Sequence, residues 1–164
     1  MVVLFSGLLG ALLGLIVTGG FHFWKLRRDE LNARCDELSR AILDCAKTAS
    51  AYWADDYDKR LKDMRIAEAR ILGLQSLFEG LYAELKLRLD LDETEEIDKL
   101  MSDLLDDISG GGFTVEGRPP DSIRTRSAQE SAAAVVVAIR KAHQNTLPFA
   151  HLARVYHESR RRTL

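Results

Sequence analysis

The sequence predicts an all-α protein, with an N-terminal transmembrane helix over residues 1–24 and a cytoplasmic helical domain over residues 25–164. Three observations support this prediction. Residues 1–24 contain no Lys, Arg, Asp or Glu, so every charged side chain of the 164-residue chain lies beyond them. No Pro occurs before Pro119 and no Gly between Gly20 and Gly73, so a long stretch lacks strong helix breakers. The apolar residues that follow recur at helical spacing, which predicts a bundle of about five helices.

The first predicted element is long enough to cross a membrane. Twenty-four residues at a rise of ~1.5 Å give ~36 Å of helix, against a hydrocarbon core of ~30 Å. A cleaved signal peptide is the rival interpretation, but it requires positive charge before a shorter apolar core. Lys25, Arg27 and Arg28 instead follow the apolar run. The positive-inside rule therefore predicts a single-pass protein of the cell inner membrane, with its N-terminus outside and its C-terminal domain in the cytoplasm.

A stripe of small and polar residues recurs at every fourth position of the predicted span: Ser6, Gly10, Gly14, Thr18 and His22. Helices in lipid associate closely where small residues let their backbones approach. The stripe is thus predicted to pack against another copy of the chain. Two alternatives remain open. Glycine is simply common in membrane helices, and polar residues at membrane depth also line water-filled pores.

The second predicted element is a long, coiled-coil-like helix that begins at the membrane edge. Its apolar residues fall at heptad spacing, with Arg28 in the same series: Trp24, Leu31, Cys35, Leu38, Ile42, Cys45, Ala49 and Tyr52. This seam requires a facing helix, either from another copy or from later helices of the same chain. Cys35 and Cys45 are too far apart on one helix to form a disulfide, and are predicted to be small buried apolar side chains. Arg28 either extends to lipid headgroups or forms a ring of positive charge in a symmetric oligomer.

Local signals divide the remaining chain into further helices. Acidic residues predict a turn near 53–57, and a second helix follows it. Leu77, Tyr82 and Leu89 are predicted to broaden the apolar face of this helix, and Gly73 and Gly80 to allow close helix contact. Asp92 with Glu95 predicts the start of a third helix, which Gly110–Gly112 ends.

The C-terminal third is predicted to contain one short extended piece and two more helices. Phe113–Val115 is the extended piece. Asp121 is predicted to cap a fourth helix to about Asn145, whose nearly continuous apolar run Ala132–Ile139 indicates a central position. Pro148 is predicted to lie in the first turn of a last helix.

Charge is sorted along the chain. Residues 92–117 carry one basic and nine acidic side chains, whereas residues 118–164 carry nine basic and three acidic ones. These segments could pair with each other, meet partners, or form solvated faces. The candidate anion-binding residues, suited to phosphate, anionic lipid or nucleic acid, are Arg28, Arg140, Lys141, Arg154, Arg160, Arg161 and Arg162. For the terminal arginines, a solubilising tail is the alternative.

No specific catalytic or metal-binding motif occurs in the sequence. There is no phosphate-binding glycine loop, and no GxSxG, CxxC or HExxH pattern. His151 and His157 are six residues apart, so a helix would not place them on one face. The sequence therefore predicts neither an enzyme nor a metal or cofactor site.

The order of the span, the basic residues Lys25, Arg27 and Arg28, and the helices up to Leu164 resembles small bitopic membrane effectors of bacterial antiphage defence. Among them, the chain resembles in architecture the Hailong-type channel component, a tetrameric membrane channel held closed by a nucleotide-derived ligand. The resemblance implies a homo-oligomeric ion channel whose cytoplasmic domain responds to an anionic nucleotide or oligonucleotide. The alternative is a membrane-anchored adaptor or scaffold whose bundle docks a protein partner.

Overall fold

The chain is all-helical throughout the part that the structure, a computed structural model, describes. The described residues are 2–57, 61–89 and 91–145, with side chains described from Gly14 onward except those of Leu91 and Asn145. They form four helices, α1 (Val2–Ala54), α2 (Leu61–Lys86), α3 (Leu91–Ser109) and α4 (Ser122–Asn145). The prediction of an all-α protein is confirmed for these residues. The last helix predicted from Pro148 lies outside the described residues.

Two compact units divide the chain, Met1–Arg34 and Cys35–Leu164. In the first unit, α1 carries large apolar side chains that are mostly exposed, among them Leu15, Val17 and Phe21. Among the described residues, no helix is both long enough and apolar enough to cross a membrane.

In the second unit, the predicted seam of α1 is buried by helices of the same chain. Cys35, Leu38, Ile42, Cys45, Ala49 and Tyr52 are each at most 5% exposed. Burial raises the pKa of Cys35 to about 11 and that of Cys45 to about 12, and both thiols are free. The prediction of small buried cysteines without a disulfide is confirmed. Because later helices cover this part of the seam, residues 35–52 need no second copy to bury them.

The four helices of the second unit run alternately up and down. Cys45 on α1 faces Ile71 on α2, and Tyr52 faces Glu68, so these helices are antiparallel. In each remaining pair of neighbouring helices, contacts that move forward along one helix move backward along the other, so these helices are antiparallel as well. The contacts are Tyr82–Asp98 and Gln75–Ser109 for α2–α3, Glu96–Lys141 and Asp107–Ser131 for α3–α4, and Asp36–Arg140 and Ser50–Thr125 for α1–α4. The described residues between 35 and 145 therefore form an antiparallel helical bundle.

Three predictions about helix faces are wrong. Leu77 is 49% exposed rather than part of the apolar face of α2. A Cβ added at Gly73 or Gly80 would meet no atom within 4 Å, so neither glycine lies in a close helix contact within the part of the chain that the structure describes. On α4, Ala132, Val135, Val136 and Ile139, which belong to the predicted apolar run, are buried, as is Ala142. However, Val137 is 65% exposed, so α4 is not a central helix buried on all sides. Composition defines an apolar surface, but the neighbouring helices determine which part is covered.

Two local predictions also change at the ends of α3. The helix begins at Leu91, so Asp92 lies in its first turn, where a carboxylate favours the helix dipole, instead of capping it. Phe113–Val115 is a turn and not an extended piece, because Thr114 has a left-handed φ of 64° and Val115 N–H donates to Gly112 O. Packing of the Phe113 ring against Tyr52 and Trp53 accounts for this turn.

The contact between α2 and α3 predicts a pH-dependent stability. Lys86 Nζ lies 2.6 Å from Asp98 Oδ2, and Tyr82 Oη donates to Asp98 Oδ1 over 2.8 Å. These hydrogen bonds, that from Lys86 first, hold the pKa of Asp98 below its ordinary value. The contribution of ionised Asp98 to the free energy of unfolding is therefore present above the unfolded-state pKa of ~3.9, and it is lost as the pH falls through the lower folded-state pKa.

We expect Asp98→Asn to lower the free energy of unfolding at pH 7 by up to about 1 kcal/mol, since the ion pair is nearly half exposed. The difference from the native protein should shrink below pH 4 in urea titrations. Asp103→Asn, on the same helix and exposed, is the matched control. An Asp98→Asn effect that persists unchanged at pH 2 would contradict the assignment.

Candidate functional site

The predicted stripe lies on the exposed surface of α1 where its side chains are described. Gly14, Thr18 and His22 are all exposed, and a Cβ added at Gly14 meets no atom within 4 Å. Ser6 and Gly10 belong to the same helix, but their side chains lie outside the described residues. Within one chain, the described stripe residues thus leave a free surface along this helix.

The predicted anion-binding residues do not form one site. Arg140 lies 4.0 Å from Asp36, and Lys141 lies 3.7 Å from Glu96, with all four side chains more than half exposed. Arg28, in the other unit, stacks over Trp24 at 5.6 Å. Arg154 and Arg160–Arg162 lie outside the described residues. Arg140 and Lys141 therefore already face carboxylates on different helices, and no described group of these cations converges on a pocket.

The most unusual charged group in the bundle is instead an arginine that belongs to no sequence motif. Arg118 is 6% exposed, and its guanidinium carbon lies 4.1 Å from the Tyr52 ring centroid and 4.4 Å from that of Trp53. Tyr57 lies farther out, at 6.0 Å. Arginine is rarely buried to this degree without a carboxylate partner. We call Tyr52, Trp53, Tyr57, Phe113 and Arg118 the Arg118 cluster.

The Arg118 cluster closes the C-terminal end of α1. Arg118 Nη2 donates to Tyr52 O, and the Asp121 N–H donates to Trp53 O over 2.8 Å. Both carbonyls belong to the last turn of the helix, where no intrahelical donor remains. A cation at this position also interacts favourably with the negative end of the helix dipole. Arg118 thus acts as a C-terminal cap supplied by a distant loop.

Further hydrogen bonds fix the aromatic rings of the cluster. Trp53 Nε1 donates to Ile108 O over 2.9 Å. Tyr52 Oη donates to Glu68 Oε1 over 3.0 Å and accepts from the Thr114 N–H over 3.1 Å. Burial raises the pKa of Tyr52, partly opposed by Arg118, and burial also raises the pKa of Tyr57. Both phenols therefore stay neutral at physiological pH.

Arg124 brings a second cation to the same end of the bundle. Its guanidinium carbon lies 5.1 Å from the Trp53 ring, and its Nη1 donates to Asp106 O. Gly111, with a φ of 61°, permits this position, since a Cβ there would lie 2.7 Å from Arg124 Nη2. A cavity of about 270 Å³ opens between Trp53, Arg118 and Arg124 at the start of α4.

Asp121 caps α4, as the sequence predicts. Its Oδ1 accepts the N–H groups of Ile123 and Arg124, each over 3.0 Å. Its Oδ2 lies 3.9 Å from Arg124 Nε. This carboxylate therefore neutralises part of the positive charge beside the cavity, and the cation that it pairs with is Arg124.

A second, larger concavity lies between the start of α3 and the end of α4. Its volume is about 470 Å³, and its lining includes Asp92, Glu93, Glu96 and Lys141 above an apolar floor of Ile97, Ala138 and Ala142. Its acidic character comes from α3, whose excess of carboxylates the sequence shows. Lys141 is the basic residue that α4 contributes to this wall.

In the described part of the chain, no group of three or more His, Cys, Asp or Glu side chains is placed to hold a metal ion. Fold and contacts together define the chain as an all-α, antiparallel bundle protein with a buried arginine at one end. No family model matches it, and no curated protein or solved structure is significantly similar to it.

The sequence carries only a partial signal for the Arg118 cluster. Tyr52 ends the heptad seam, and Trp53 follows it where a turn is predicted. The loop at residues 116–120 contains Arg118 between Gly117 and Pro119, and these turn-forming neighbours indicate only a connection between helices. Nothing local to Arg118 shows that it reaches the end of α1, because its acceptor on Tyr52 is 66 positions away.

Proposed function

We propose that the chain is a membrane-anchored homo-oligomer in which the N-terminal helices of several copies surround an ion-conducting path. One observation carries the proposal. Large apolar side chains of the N-terminal unit are exposed over consecutive turns of α1: Leu15 (73%), Ile16 (62%), Val17 (69%), Phe21 (63%) and Phe23 (61%). Exposed apolar surface of this kind marks an interaction with a membrane or another protein.

The residues that follow support insertion with the N-terminus outside. Arg27 stacks over Phe23 at 5.2 Å, and Arg28 over Trp24 at 5.6 Å. Aromatic rings beside cations favour the headgroup region, and Lys and Arg are retained on the cytoplasmic side. The proposed span is residues 1–24, including residues 1–13 whose side chains lie outside the described residues. Residues 25–164 would then lie in the cytoplasm.

The stripe supports assembly through the span. The bundle covers residues 35–52 of the heptad seam within one chain, so that part of the seam is not available to a second copy. Gly14, Thr18 and His22 remain exposed at four-residue spacing. Spacing of this kind between small residues is typical of close helix crossings in membranes.

The proposed channel differs from a simple anchor in what the stripe contacts. In a channel, Thr18 and His22 would face water along a shared axis, as polar residues at membrane depth do. A cytoplasmic anionic nucleotide or oligonucleotide would shift the closed–open equilibrium if it bound the two states with different affinities. Arg140 and Lys141, predicted as part of such a ligand site, are weak support because each already faces a carboxylate.

Replacing residues 2–24 with an unrelated leucine-rich helix tests the channel proposal. We expect the purified native oligomer to conduct ions in planar bilayers, and the replaced protein to insert but not to conduct. The bundle should keep its far-UV circular dichroism spectrum and unfolding midpoint, which serves as the control. Absence of conductance by the native protein, with or without adenine nucleotides, would reject the channel.

A protein-docking adaptor is the second candidate, favoured by the outward face of α2. Ile66 is 58% exposed, and Leu72 and Leu77 are each 49% exposed beside the open surface of Gly73. For an adaptor, the span would serve only as an anchor. Cellular activity that survives the leucine-rich replacement would therefore support the adaptor over the channel.

The orientation makes a separate prediction that uses the buried native thiols. With Cys35 and Cys45 buried and their pKa values raised, a membrane-impermeant maleimide should not label the native protein in intact cells. Val2→Cys should be labelled from outside, and Leu164→Cys only after the cells are permeabilised. Labelling of Leu164→Cys from outside would show that the orientation is reversed.

A further inference from the structure

We propose that the cavity at the start of α4 binds an oxyanion, the phosphate or carboxylate group of a small soluble molecule, between Arg118 and Arg124. The inference uses only residues of the bundle, so it stands independently of the proposed membrane function. The cavity measures about 270 Å³, which exceeds the volume of a single oxyanion and leaves room for an attached group.

The charges that face the cavity are unbalanced. Arg118 is only 6% exposed, and its buried Nε donates to no acceptor within the described chain. Its two other nitrogens donate to the neutral carbonyls of Tyr52 and Pro119. Burying a cation without a counter-ion is costly, and the aromatic rings offset only part of that cost.

Arg124 and the end of α4 add to the positive potential. The Arg124 side chain is 22% exposed and lines the same cavity, while α4 is 24 residues long and directs its positive N-terminal end there. Asp121 is the carboxylate in the lining, and its Oδ1 is already used by two backbone N–H groups. An oxyanion would therefore be held by the two arginines, which bind phosphate and carboxylate with paired hydrogen bonds, and not by the capped helix end.

The remaining wall favours an anion that carries an apolar or planar group. Trp53, Pro119 and Pro120 line the cavity beside the two cations. Trp53 is only 2% exposed, so the exposed rings of Pro119 and Pro120, rather than the indole, would contact such a group. Inorganic phosphate should thus bind more weakly than a molecule that also contacts this wall.

The fluorescence of Trp53 can report anion binding at this cavity. In full-length Trp24→Phe protein in detergent, Trp53 is the remaining tryptophan and lies against both guanidinium groups. We expect inorganic phosphate, acetate and adenosine monophosphate to change its emission saturably, with the nucleotide binding tightest. Sodium chloride at matched ionic strength should have no saturable effect.

Matched arginine variants separate the site from general charge effects. Arg124→Gln should weaken binding about tenfold, as expected for the loss of one charged hydrogen-bonding partner. Arg126→Gln should leave it unchanged, because Arg126 points to Glu130 at 2.9 Å and does not line the cavity. Arg118→Lys keeps the charge but loses the paired geometry, and it should also weaken binding if the protein folds.

The source of the anion is tested by repeating the titration in micelles with phosphatidylglycerol. If the lipid alone leaves the Trp53 emission unchanged, the result supports a soluble ligand. If the lipid alone produces a saturable change in the emission, the proposal that the ligand is a soluble molecule is overturned. The site itself is rejected if no probe saturates, or if sodium chloride reproduces the response. It is also rejected if Arg124→Gln binds every probe as tightly as Arg126→Gln.

Discussion

Replacing Trp53 with alanine is expected to lower the free energy of unfolding of the bundle by about 3–5 kcal/mol. Trp53 is 2% exposed, and its ring contacts Tyr52, Phe113 and both arginines of the anion cavity. Removing the indole leaves a large cavity, and it also deprives Ile108 O of its donor.

Urea unfolding followed by far-UV circular dichroism measures this loss. Trp24→Ala provides a control of the same residue type, because Trp24 belongs to the N-terminal unit and contacts Phe21 and Arg28 there. We expect Trp24→Ala to leave the unfolding midpoint of the bundle unchanged. A loss below about 1 kcal/mol for Trp53→Ala, well under the usual cost of truncating a buried tryptophan, would show that the Arg118 cluster does not stabilise the fold as its contacts indicate.

Replacing Gly10 and Gly14 together with leucine is expected to dissociate the proposed homo-oligomer. A Cβ at Gly14 meets nothing within 4 Å in one chain, so leucine there can be accommodated by the isolated helix. The bulkier side chains would instead separate neighbouring spans and remove the close backbone approach that stabilises them. We expect at least about a tenfold rise in the dissociation constant, equivalent to about 1.4 kcal/mol.

Mass photometry in detergent provides the measurement for these variants. Gly19→Leu with Gly20→Leu is the matched control, because both glycines are on the same helix, outside the four-residue stripe, and equally open in one chain. This control should remain oligomeric. A monomeric native protein, or equal dissociation of the two double variants, would remove the stripe from the proposal.

Much of the helical layout can be predicted from the sequence because its signals are local or periodic. The heptad series from Cys35 to Tyr52 marks the buried face of α1, and each of these residues is buried. Asp121 precedes α4 by one residue and caps it, since an N-cap needs only a short side chain within reach of the next N–H groups. Gly110 follows the last residue of α3 for a similar local reason.

Candidate site residues are harder to predict because their roles depend on distant partners. Charge alone selects Arg140 and Lys141, yet each lies close to a carboxylate on another helix. Spacing assigns Leu77 to the core, yet no helix in the described chain covers it. Periodicity defines a face, but it does not determine which neighbour reaches that face.

The charge-free start of the chain, the helical class and the breaks at Asp55, Gly110 and Asp121 all follow from the order of the residues. Burial of the α1 seam within one chain, and the capping of its end by Arg118, emerge only from the packing of the folded bundle. The physical reason is the range of the interactions. Helix periodicity and capping involve residues within a few positions, whereas the Arg118 guanidinium binds a carbonyl 66 positions earlier, which comes within reach only when the bundle closes.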